Sequence, residues 1–131
     1  MDTETVTANR TVWTGLLELS RQTDMGTGER VLSVATVAAD YETKPFLALR
    51  LKLIEAVQSC YQAEDLKKLD SGKEKVDEET AEVELDIAEA TYLDLLIPVT
   101  AFNHALTLKK DLWRVIATLH SRHRKEKEAQ L

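Results

Sequence analysis

Three sets of residues in this 131-residue chain have the types and spacing from which chemistry is built: the histidines with the lone cysteine, an acidic cluster in the middle, and a basic run at the end. The histidines are His104, His120 and His123. On a helix, His120 and His123 stand on one side, which would begin a zinc site of imidazole, thiolate or carboxylate ligands. A further ligand is needed, from His104 or an acidic side chain. The HExxH pattern is absent, and lysine and arginine crowd these histidines and disfavour a cation. They are more simply solvated side chains on a basic helix end. Cys60 stands among Val57, Gln58 and Tyr61 and fits a small core residue better than a nucleophile. A single cysteine forms no internal disulfide, in keeping with a reducing compartment. No metal and no other cofactor is expected.

The acidic cluster is Asp77, Glu78, Glu79, Glu82, Glu84 and Asp86. Carboxylates so close could hold calcium or act as an acid–base pair. The DxDxDG loop is missing, however, and carboxylates on an exposed face have no cause to acquire tuned pKa values. The terminal run is Arg114, Arg122, Arg124, Lys125 and Lys127. It could touch phosphates, but Glu126 and Glu128 dilute it, and Trp113, the aromatic nearest to it, fits a core position. Neither GxSxG nor GxxxxGK[ST] occurs, and the glycines of Asp24–Gly28 do not have phosphate-loop spacing. No catalytic residue is assigned, and the protein is not expected to be an enzyme.

Charge is polarised along the chain. Between Gln62 and Asp94 stand 12 acidic and 4 basic residues; between His104 and Leu131 stand 7 basic and 3 acidic. The net charge of −6 opposes general binding to a phosphate backbone. A polarised chain can stack head to tail or dock a charged partner, although solvated helix faces give the same pattern. The residues expected to meet partners are Glu78, Glu79, Glu82 and Glu84 on the acidic side, and Arg122, Arg124 and Lys125 on the basic side.

These residues depend on elements that can be read from periodicity. With 44% apolar and 31% charged residues the chain has the composition of a soluble protein, and its length fits a single domain over 1–131. Residues 1–10 and 124–131 are expected to fray. Thr11–Arg21 mixes strand and helix formers and is read as a short helix, Asp24–Gly28 as a loop, and Glu29–Tyr41 as helical. The clearest helix is Pro45–Leu69, with Thr43 as cap, Gly72 as stop, and Leu49, Leu53, Val57 and Cys60 in a stripe widened by Phe46, Ile54 and Tyr61. Glu82–Ile87 alternates acidic and apolar residues, the pattern of a half-buried strand. The partner it needs is Thr5–Trp13 or another subunit. The competing assignment is a helix running from near Glu78 into Ala88–Leu96. After Pro98, Thr107 is the expected cap of a last helix with Leu108, Leu112, Val115, Ile116 and Leu119 facing inward. The fold class is therefore mainly α, three to four helices in a small bundle or hairpin, with one short β element near 82–87. The core draws on Leu49, Leu53, Val57, Leu112, Val115, Ile116 and Leu119.

No apolar run approaches the ~18 residues of a membrane span, because Arg50, Lys52 and Glu55 interrupt the best candidate. The start, Met1-Asp2-Thr3-Glu4, lacks the basic and apolar stretches of a secretory signal. A cytoplasmic protein with no membrane contact is expected.

The segment Lys44–Leu119, with its helix PFLALRLKLIEAVQSCYQ, charged spacer, alternating EVELDI and late LTLKKDL helix start, resembles a group of small, mostly uncharacterised helical proteins encoded by tailed phages and prophages. The resemblance carries no catalytic residues. It implies a phage origin, a location in host cytoplasm or virion, and a role in assembly or host interaction. The function expected is non-catalytic: a phage-type structural or assembly component that binds other protein subunits, itself included. Two alternatives stand beside it. One is a helical small subunit of a nucleoprotein complex that touches nucleic acid through the basic C-terminal end. The other is a small acidic regulator that docks a host enzyme.

Overall fold

A computed structural model of the chain describes residues 2–22, 46–98, 101 and 104–130. The helix expected over Glu29–Tyr41, the loop Asp24–Gly28 and the cap Thr43 lie outside the described residues. Strand β1 (Glu4–Asn9) leads directly into helix α1 (Arg10–Gln22); helix α2 (Phe46–Ser71), strand β2 (Thr80–Leu85), helix α3 (Ile87–Leu96) and helix α4 (Ala105–Ala129) follow. The protein is mainly helical, with β1 and β2 paired as a small antiparallel sheet.

The strand expected in the acidic segment is present, and its partner lies in the same chain. Thr5 stands opposite Glu84, Val6 opposite Val83 and Thr7 opposite Glu82. Residues 4–9 are therefore not frayed. Val6 is fully buried against Val83, and this apolar pair fixes the register. The strand ends two residues earlier than expected. Asp86 accepts from the Glu89 backbone N–H at 2.8 Å, and Glu89 Oε1 accepts from the Asp86 N–H at 3.1 Å. This capping box turns the chain into α3 at Ile87, so a strand and a helix meet where the two assignments competed.

Helix α1 starts because Asn9 Oδ1 accepts from the Val12 N–H at 3.0 Å. It buries Val12, Trp13, Leu16, Leu17 and Ser20. Trp13, with no exposed surface, donates from Nε1 to the Ala81 carbonyl at 3.0 Å and ties α1 to β2. Helix α2 buries Leu49, Leu53, Ala56 and Cys60, leaves Val57 half-buried, and continues the same stripe to a buried Glu64. Gly72, at φ +68°, stops it by donating to the Lys68 carbonyl at 2.9 Å. The expected place of Tyr61 in the apolar stripe is not observed: it is 47% exposed and lies under the Arg10 guanidinium, 5.0 Å from the ring centre.

Helix α4 buries Leu108, Leu112, Val115 and Leu119, as the spacing predicts. Its cap stands three residues before the expected Thr107, at a left-handed His104 (φ 68°) that makes no side-chain cap. Trp113 does not join the core. It is 45% exposed, and its Nε1 donates to Asp94 Oδ1 at 2.8 Å. An indole with a polar partner at the surface loses less than one buried without it.

The helices pack α1 on α2 and α3 on α4, with α2 beside β2 and α4 beside β1. Two helix ends are closed by cations from elsewhere. Arg50 Nη2 donates to the Ser20 carbonyl at 2.6 Å near the end of α1. Lys109 Nζ donates to the Asp94 and Ile97 carbonyls at 2.6 and 2.7 Å at the end of α3. No described helix is long and apolar enough to cross a membrane.

Candidate functional site

The acidic residues expected to meet partners divide into two groups. Glu78 and Glu79 are structural. Glu78 Oε1 accepts from the Thr11 backbone N–H at 2.7 Å and from the Thr11 hydroxyl, so it caps the first turn of α1 from across the fold. The Thr11 hydroxyl bond, set against partial burial and helped by the Thr11 N–H and Arg10, holds this carboxyl below its ordinary value. Glu79 pairs with Lys67, and its carbonyl accepts from the Arg10 N–H at 3.0 Å. Beside them Arg10 Nε meets the buried Glu64 at 2.8 Å, a bond that raises the guanidinium pKa further. These groups tie the loop before β2 to the start of α1.

Glu82 and Glu84 form the second group. They alternate with buried Val83 and Leu85, so the pleat turns both outward. Their carboxylates take no ion pair among the described residues. Glu55 of α2 lines the same shallow groove of about 450 Å³ along β2 and adds a third exposed carboxylate. Lys52 enters the groove but is spent elsewhere, on the Glu84 carbonyl at 2.9 Å and on buried Glu89 at 2.7 Å.

The basic residues divide in the same way. Arg122 is engaged with Asp2 at 3.3 Å and with Glu4, fastening α4 along β1. Arg114, half-exposed, pairs with Asp111 at 2.7 Å and donates to the Thr5 carbonyl at 3.3 Å. Arg124 and Lys125 lie further along α4, exposed and without an ion pair among the described residues. Of the seven residues expected to meet partners, Glu82, Glu84, Arg124 and Lys125 are therefore available, whereas Glu78, Glu79 and Arg122 are spent inside the fold.

Sequence reasoning missed Glu64, Glu89 and Lys52, and named Asp86 in the acidic cluster without its role as a helix cap. The signal for Glu64 is its place four residues after Cys60, on the buried stripe of α2; Asp86-x-x-Glu89 has the spacing of a capping box. A second groove, of about 570 Å³, opens between the end of β1 and the start of α4 and includes Thr7, Asn9, His104, Thr107 and Lys110. No group of three or more His, Cys, Asp or Glu among the described residues could hold a metal ion. Cys60 is fully buried, and burial, reinforced by Glu64, raises its thiol pKa.

No protein-family model, no curated protein and no solved structure matches this chain.

Proposed function

We propose that this chain is a non-catalytic binding protein that contacts other protein subunits, copies of itself included. The observation that carries this reading is unspent charge of both signs at the surface. Glu82, Glu84 and Glu55 stand exposed along β2, whereas Arg124 and Lys125 stand at the far end of α4. From Arg122 to Ala129 the helix advances about 10 Å past its last anchor on β1. Neither group takes an ion pair among the described residues, so both remain open to charges on another molecule. Unlike surfaces that meet head to tail generate chains or rings of subunits.

The resemblance to small tailed-phage proteins supports a place in assembly, in the host cytoplasm or the virion. A nucleic-acid partner is less well supported, because Arg122 and Arg114 are already engaged by carboxylates. The acidic regulator loses half of its expected surface to the internal roles of Glu78 and Glu79.

Light scattering on the full chain at low and moderate salt tests the proposal. A mass above the monomer that falls as salt rises, and is lost in Arg124→Glu/Lys125→Glu, is expected. A monomer at low salt that also retains no protein from a lysate would overturn it.

A further inference from the structure

The ladder of the small sheet determines which backbone groups it leaves open. Partner residues in β1 and β2 have numbers that add to a constant, and the Arg10 N–H donates to the Glu79 carbonyl at 3.0 Å in that same register. Antiparallel hydrogen-bonded pairs alternate. The bonded pairs are therefore those of Ala8, Val6 and Glu4, and the N–H and C=O groups of Thr5 and Thr7, with the Asn9 N–H, point away from β2. Two side-chain bonds agree with this parity: the outward carbonyl of Thr5 accepts from Arg114, and that of Glu84 accepts from Lys52.

Thr7 is the exception along this edge, since neither its N–H nor its carbonyl has a partner among the described residues. It opens into the groove between β1 and α4, with Val12 and Leu108 contributing apolar surface. A strand edge that offers a donor, an acceptor and a second donor at the pleat repeat is the template for one more strand. The opposite wall is positive. Lys110 is exposed and unpaired among the described residues, and Arg114 is offset by Asp111. The first turn of α4 holds no acidic residue, and His104 supplies no side-chain cap, so the helix end keeps its partial positive charge.

We infer that the β1 edge at Thr7 receives an extended acidic segment of a partner protein, which adds as a third strand with a carboxylate towards Lys110. This inference rests on the binding reading above and gives it a mode of recognition. It does not depend on the contact between basic tip and acidic groove, so either test can fail alone.

The test is a titration of the isotope-labelled full chain with a blocked hexapeptide alternating valine and glutamate, followed by amide resonances. A valine–lysine hexapeptide is the charge control. Shifts confined to Thr7, Asn9 and the first turns of α4, with slowed exchange of the Thr7 amide, are expected for the acidic peptide. Thr7→Pro removes an outward N–H that the β1–β2 ladder does not use, and should weaken binding about tenfold. Lys110→Glu should reverse the preference between the peptides. Absence of shifts at Thr7 and Asn9, shifts centred elsewhere, or undiminished binding by a folded Thr7→Pro variant would each overturn the inference. If Thr7→Pro does not fold, Lys110→Glu decides, and an unchanged preference overturns the inference.

Discussion

At the scale of single residues, buried charge is where substitutions matter most. Glu89 is 1% exposed, and Lys52 is the one cation that meets it among the described residues. Removing one partner of a buried pair strands the other, so Lys52→Ala should cost about 3 kcal/mol in urea unfolding. Glu89→Gln in that background should restore part of the loss, because glutamine still serves the capping box. Glu78 differs in being partly exposed. Its pKa is lower in the fold than in the unfolded chain, so its stabilisation is complete above the ordinary value of about 4.5 and disappears as pH falls through the lower folded value. The urea midpoints of the native protein and Glu78→Gln should therefore differ near pH 7 and converge in acid. Cys60 should resist thiol reagents in the folded protein up to mildly alkaline pH and react at once in denaturant, since burial both shields the thiol and disfavours its thiolate.

At the scale of elements, short local devices decide where each begins and ends. Asn9 starts α1, the Asp86–Glu89 box starts α3, and Gly72 ends α2. Asp86→Ala should cost about 1 kcal/mol by loss of the cap alone, and more to the extent that the Glu89 pairing also loosens. Gly72→Ala meets no atom within 4 Å, so its cost is conformational, about 1 kcal/mol for a Cβ at positive φ. Thermal unfolding of both variants checks the two figures. The strands are too short to be stable alone. Side chains of neighbouring helices complete the sheet instead: Arg114 on Thr5, Lys52 on Glu84 and Trp13 on Ala81.

At the scale of the whole molecule, the N-terminal strand closes the fold. It pairs with β2, positions Trp13 through α1, and receives Arg114 and Arg122 from α4. Deleting residues 2–9 should expose β2 and remove the buried Val6, and the truncated chain should lose its cooperative transition in far-ultraviolet circular dichroism. A transition as sharp as that of the full chain would show that β2 is held by the helices alone.

The helical stripes of α2 and α4, the Gly72 stop, the acidic–apolar alternation of β2 and the buried Cys60 were legible in the sequence, because each depends on a repeat of two or 3.6 residues or on one residue's backbone preference. The fate of individual charges was not. Glu78 and Glu82 are alike in a sequence, yet one caps α1 and the other faces solvent, because only the β1–β2 pairing brings Thr11 to Glu78. The choice of Glu4–Asn9 over another subunit as strand partner, the Arg10–Glu64 contact and the closure of helix ends by Arg50 and Lys109 likewise join residues 12 to about 80 positions apart. Local pattern records which way a side chain faces relative to its own element. What stands on the other side of that face, and so which charges remain free for a partner, is decided only when distant segments pack and must satisfy each other's buried polar groups.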